Sequence, residues 1–190
     1  LAQAMQMARR LHESGAQVER AFSFYEEGKG YERAILERGR IDVQDWPEME
    51  AQATKLNNLL VADGGDPVLC HNDFFMLNFL IDKADKYYLI DWEYSGMSDY
   101  ANDFGTFCVC EQLSEDEMRS ALTHYFGRTP TEAEWRHNLG QVGMAGWCWY
   151  AWALLKEAEG DNVGEWSHIY YRYGKTYLKK ALELYKKSGK

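Results

Sequence analysis

Apolar side chains recur at helical spacing from the first residue, with Leu1, Ala4, Met5, Ala8 and Leu11 on one face and Gly15 as a stop. The same periodicity predicts a second helical region from about Val18, interrupted near Gly28 and Gly30 and ended by Gly39. Pro47 suits a helix start, and Leu56, Leu59 and Leu60 give that helix its apolar face before Gly64-Gly65. The period then changes. Val68-Leu69-Cys70, Asn78-Phe79-Leu80-Ile81 and Tyr87-Tyr88-Leu89-Ile90 are apolar runs of strand length. The polar turn Lys83-Ala84-Asp85-Lys86 joins the last two into a hairpin. From Gly96 onward the pattern predicts helices to the end. Ser114 with Glu117, and Thr131 with Glu134, are capping boxes, and Gly127 and Gly160 close helices. The last helix lines up Trp166, Ile169, Tyr170, Tyr173, Tyr177, Ala181 and Leu184. Gly140, Gly143 and Gly146 recur every third residue, which predicts close helix packing; no strand precedes them, so they are not a phosphate loop. The expected fold class is mainly α with a small β-hairpin (α+β).

Composition narrows the chemistry. The chain has 190 residues, 21 basic and 30 acidic, for a net charge of −9. Nucleic acid and anionic membranes need clustered Lys and Arg, so neither is expected as a partner. The 17-residue uncharged run Leu139–Leu155 holds Gln141 and three glycines, and is predicted to be a buried helix and no membrane span. Cys70, Cys108, Cys110 and Cys148 form no C-x-x-C pair and sit in apolar stretches, which predicts reduced core thiols, no zinc site and a cytoplasmic protein.

The most informative stretch is Leu69 to Gly96. It reads His71-Asn72-Asp73, then Asn78, then Ile90-Asp91, with the spacing H-x-D-x-x-x-x-N and an Asp thirteen residues after the Asn. A carboxylate at Asp73 can take or orient the proton of an attacking hydroxyl. Asn78 and Asp91 offer hard oxygens to Mg²⁺. A tight hairpin returns Asn78 and Asp91 to the same end, as a shared metal site requires. His71 is expected to brace the loop by hydrogen bonding. Aromatics are the second signal: eight fall in the 27 residues from Trp147 to Tyr173. A quaternary ammonium has no N–H to donate and is held by aromatic faces. Trp149 and Trp152, at i and i+3, share a helix face and can line one wall. Trp147 and Trp166 are assigned to the core.

The stretch Leu69–Gly96 resembles the catalytic core of kinase-like small-molecule phosphotransferases, the group of aminoglycoside phosphotransferases and choline/ethanolamine kinases. Ile90-Asp91-Trp92-Glu93-Tyr94 and Ser95-Gly96-Met97 look like bacterial choline kinases in particular. So do Asp103-Phe104-Gly105 and the W-x-x-W of Trp149-Tyr150-Ala151-Trp152. The resemblance implies the C-terminal lobe of a protein kinase-like fold and phosphoryl transfer from ATP, with Mg²⁺, to choline. It implies Asp73 as catalytic residue and Asn78 and Asp91 as metal ligands. It adds Tyr94, Glu111 and Tyr171 to Trp149 and Trp152 around the substrate, and gives Glu93 a supporting place beside His71. A kinase also needs a Gly-rich loop and a strand Lys paired with a helix Glu. Nothing before Cys70 supplies them. The expectation is therefore one C-terminal lobe over 1–190, with a catalytic loop and metal-binding hairpin at 68–96 and a substrate-binding part at 97–190. The N-terminal nucleotide lobe of the same protein would be a missing partner, the fragment alone would be inactive, and a homodimer stays open. Other acceptors (ethanolamine, thiamine, an aminoglycoside) and a non-catalytic cation-binding module remain alternatives.

Overall fold

A computed structural model describes residues 1–189. Its longest helix, α6 (Glu132–Glu159), opens on the Thr131/Glu134 capping box and closes on Gly160 in the left-handed region. From Trp135 to Ala151 every residue of α6 is buried, because other helices cover it on all sides. It packs against α7 (Trp166–Lys187), α4 (Ala101–Cys110), α2 (Phe24–Arg38) and α3 (Trp46–Asp63). Two further helices, α1 (Ala2–His12) and α5 (Glu115–Phe126), pack on each other. One hydrophobic cluster runs through the assembly from Ala4 to Tyr185. No helix among the described residues is long and apolar enough to cross a membrane.

The glycine ladder explains how closely α6 can be approached. A Cβ at Gly143 would lie 2.7 Å from the Leu178 nitrogen, and one at Gly146 would lie 2.9 Å from Gly174 Cα. Gly140 instead faces the Leu60 side chain of α3, whose Cδ2 would lie 2.8 Å from an added Cβ. The two long C-terminal helices therefore touch backbone to backbone, a distance that a side chain at either position would forbid.

Four short strands complete the fold among the described residues. The expected hairpin is present: β2 (Phe79–Ile81) pairs antiparallel with β3 (Tyr87–Leu89), register Phe79↔Leu89. Two expectations need correction. The chain does not turn helical at Gly96, because Gly96–Ser98 is a strand (β4) pairing antiparallel with β1 (Val68–Cys70). Arg20 and Phe22 extend that pair, as Met97 N–H donates to Arg20 O and Phe22 N–H to Met97 O. The second helical region therefore starts only at Phe24, and it is not interrupted at Gly28 or Gly30. Gly28 lies against the Trp147 ring, where a Cβ would come within 2.8 Å of Cη2. Tertiary contact here outweighs the weak helix propensity of glycine.

Candidate active site

The loop between β1 and β2 begins at His71 and Asn72, and Asn72 adopts φ 66°, a left-handed conformation unusual for a residue other than glycine. Five hydrogen bonds hold it there. Its N–H donates to Asp103 Oδ1 (2.6 Å) and its amide nitrogen to Tyr94 O (3.0 Å). Its Oδ1 accepts from Ser98 Oγ and Asn102 Nδ2, and its carbonyl from Thr106 Oγ1 at 2.7 Å. Asp103, fully buried on α4, also accepts from the His71 N–H at 3.1 Å and bonds to His12 Nε2 at 3.0 Å. Cys70 lies beside this pair, its Sγ donating to Asp99 O and its thiol kept protonated by burial. The bonded pair His12–Asp103, with Cys70 packed beside it, thus forms a buttress behind the loop.

That buttress presents Asp73, half-buried at the head of the cleft. Asn78, in a 3-10 turn (Met76–Asn78), donates its amide to both Asp73 Oδ2 and Asp73 O, each at 2.8 Å. Burial raises the Asp73 pKa, opposed by the Asn78 bond and His71 and reinforced by the charges of Asp91 and Glu93. Asp91 follows β3 with φ 61° and is exposed. Its place is fixed by its predecessor: Ile90 N–H donates to Asn78 O at 2.9 Å, and Ile90 O accepts from His71 Nε2 at 2.8 Å. His71 therefore ties the Asp73 loop to the Asp91 turn.

The donor set suits a hard divalent cation. Asn78 donates its amide to Asp73 twice, and among the described residues neither its Oδ1 nor the Asp91 carboxylate takes part in a hydrogen bond. An amide oxygen plus a carboxylate beside open solvent is the kind of pair that Mg²⁺ takes while keeping waters.

Beside Asp73 opens a cleft of about 200 Å³ walled by Phe75, Leu77, Glu93, Tyr94, Trp149, Trp152, Trp166 and Tyr170. The rings interlock mostly edge to face: Tyr94 on Trp149 at 5.1 Å, Trp149 on Trp152 at 6.4 Å, Phe75 on Trp166 at 6.0 Å. Trp166 stacks on Tyr170 at 5.7 Å. A larger cleft of about 330 Å³ opens between the start of α2, the end of α3 and β4, but Asp73 is not on its wall.

The structure thus brings together Asp73, Asn78, Asp91, His71, Glu93, Tyr94, Trp149 and Trp152. It does not bring Glu111 or Tyr171 to the cleft wall. Glu111 instead accepts the Met76 N–H at 2.9 Å, clamping the loop from α4's end. Tyr171 turns to the far side of α7, donating to Asp45 at 2.7 Å beside Lys175. Tyr170 takes the inward place, since one residue is a turn of about 100° on a helix. Trp166 leaves the core for the cleft wall. Phe75 and Leu77 carried no signal apart from lying inside the H-x-D-x-x-x-x-N spacing.

The sequence profile of the phosphotransferase enzyme family matches residues 1–137. The protein LicA of Haemophilus influenzae is 31% identical over 106 residues, covering 52% of this chain and 39% of its own length. Among solved structures, a choline/ethanolamine kinase family protein from Mesorhizobium loti superposes with a TM-score of 0.78 at 24% identity, over 96% of this chain and 61% of that one. The choline kinase LicA from Streptococcus pneumoniae gives 0.80 at 23% identity, over 94% and 63%. At these identities the structural likeness is one of fold. The chain spans less than two thirds of each of these relatives.

Proposed function

We propose that this chain, which belongs to the phosphotransferase enzyme family, is the catalytic and acceptor-binding part of a kinase that passes the terminal phosphoryl group of ATP to the hydroxyl of choline. One observation carries the proposal: Asp73 shares a single cleft with Tyr94, Trp149, Trp152 and Trp166. Aromatic faces attract a cation that has no N–H, each contributing on the order of 0.5–2 kcal/mol. Glu93 adds negative charge at the same wall. The cleft is smaller than the roughly 300–1,000 Å³ typical for drug-sized ligands, which favours a small alcohol over a multi-ring aminoglycoside.

In this reading the trimethylammonium end packs on the indoles and the hydroxyl points to Asp73. The carboxylate accepts the hydroxyl proton as the oxygen attacks the terminal phosphorus in line, and ADP leaves with the bridging oxygen and the electron pair of the broken bond. Burial, which raises its pKa, makes it a better base than an exposed aspartate. Asn78 and Asp91 would hold Mg²⁺, which when bound neutralises charge on the phosphates. Of the eleven exposed large hydrophobics among the described residues, seven lie between Met76 and Trp92 on the hairpin and its loop. That face is where a separate nucleotide lobe, with its Gly-rich loop and lysine, would sit.

The test is acceptor competition in the full-length protein with Mg-ATP. Choline should give the highest kcat/KM, above ethanolamine, thiamine and an aminoglycoside. Trp152→Ala should raise the choline KM by roughly five- to thirtyfold with the ATP KM little changed, Phe restoring part of the loss and Leu none. Ethanolamine equal to or better than choline, or no transfer to any alcohol, would refute the reading.

A further inference from the structure

The indole of Trp149 has a second contact besides the cleft. Its Nε1–H lies 3.2 Å from Thr106 Oγ1, and Thr106 is fully buried on α4. An indole nitrogen only donates, so the threonine hydroxyl must accept there. The hydroxyl proton then goes the other way, to Asn72 O at 2.7 Å. That carbonyl lies in the peptide plane that Asn72 shares with Asp73. No other hydrogen bond reaches it among the described residues. Anchoring that plane restrains the backbone from which the Asp73 side chain springs. The wall against which an acceptor packs and the carboxylate facing its hydroxyl are therefore joined by two hydrogen bonds of one polarity.

We infer that Thr106 is a positioning residue, which aligns Asp73 to the place where the Trp149 indole sits. This rests on the reading of Asp73 as proton acceptor and Trp149 as acceptor wall, and adds the linkage between them. Misplacement of a reacting group by about 1 Å can lower a rate by about a hundredfold, so a buried hydroxyl that never touches substrate can still set kcat.

The test uses the full-length enzyme and four variants: Thr106→Val, Thr106→Ser, Trp149→Phe and the Val/Phe double. Thr106→Val keeps the shape and removes both bonds; it should lower kcat about tenfold or more while acceptor and ATP KM stay within about twofold. Thr106→Ser should restore most of the loss. The double variant should have a kcat no lower than Thr106→Val alone, because both changes cut one chain. An amide ¹H–¹⁵N spectrum supplies a readout independent of turnover, in which Thr106→Val and Trp149→Phe both displace the Asp73 resonance. A Thr106→Val kcat within about twofold of wild type, or losses that multiply in the double variant, would overturn the linkage. Should Thr106→Val fail to fold, the Trp149→Phe arm decides alone, through displacement of the Asp73 amide resonance. Should the wild type phosphorylate no alcohol, the acceptor reading fails by itself. The linkage then stands or falls on whether Trp149→Phe moves the Asp73 amide.

Discussion

Replacing Gly146 by alanine tests the helix contact on which the cleft is built. The new Cβ would lie 2.9 Å from both Gly174 Cα and Tyr173 C, and closer still to the Gly174 nitrogen. Carbon contacts settle at about 3.5–4.0 Å, so the deficit is roughly 0.6–1 Å against backbone, which cannot rotate aside. Relief requires α6 and α7 to separate along their interface. Overpacking of this kind costs about 1–3 kcal/mol, occasionally more. The gain in helix propensity from Gly to Ala returns about 1 kcal/mol at most. The two set against each other leave a net destabilisation of about 1 kcal/mol, or a melting temperature lower by about 2–4 °C for a chain of this size. Gly30→Ala is the control: it sits inside α2 with only Arg33 Nη2, at 3.9 Å, near the added carbon. That change should stabilise by about 0.5–1 kcal/mol. Thermal unfolding followed by circular dichroism reads both. Trp149 and Trp152 ride on α6, Trp166 and Tyr170 on α7, so Gly146→Ala should also raise the acceptor KM. A Gly146→Ala protein that melts within about 1 °C of wild type would refute the packing argument.

Three further outcomes are expected. Asp73→Asn in the full-length enzyme should lower kcat by about 10²–10⁴-fold with acceptor affinity nearly unchanged, measured by steady-state kinetics and calorimetry; more than half the activity remaining would remove Asp73 from the proton transfer. Asp91→Asn should raise the Mg²⁺ concentration needed for half-maximal activity, and an unchanged Mg²⁺ titration would take Asp91 out of the metal site. Glu134 is held at about 2 chiefly by the Arg128 guanidinium, with Thr131 adding to it. A depressed carboxylate pKa adds stability above the usual value of 4.5 that is lost as pH falls towards about 2, so Glu134→Gln should cost about 1 kcal/mol at pH 7 and flatten the acid-unfolding curve below pH 4.5.

What was legible in the sequence was what short-range chemistry dictates. Both capping boxes, the hairpin turn and the glycine ladder depend on residues a few positions apart, and each lies where its pattern placed it. β4 was missed because its partner β1 lies 26 to 30 residues away, from Cys70↔Gly96 to Val68↔Ser98, and three residues of strand carry no periodicity. Gly28 read as a break because its reason for being glycine is a ring more than a hundred residues downstream. The exchange of Tyr171 for Tyr170 and the move of Trp166 have one cause. The rotation of α7 about its own axis is set where it meets Gly143 and Gly146, and an error of one residue turns the wrong ring inward.

The five bonds that hold Asn72 also order events in time. Their partners lie 22 to 34 residues further along the chain, on Tyr94, β4 and α4. A left-handed conformation is unfavourable by roughly 1–2 kcal/mol without such support. As the chain leaves the ribosome, the segment around Asp73 therefore cannot complete this set of bonds until Thr106 has been synthesised and α4 has docked. Contacts of this span are slow to close, because the intervening loop must lose its entropy first. The carboxylate assigned the chemistry thus depends on α4 for its setting, and a translation product ending before α4 would contain the whole motif without the Asp103, Asn102 and Thr106 bonds that hold Asn72.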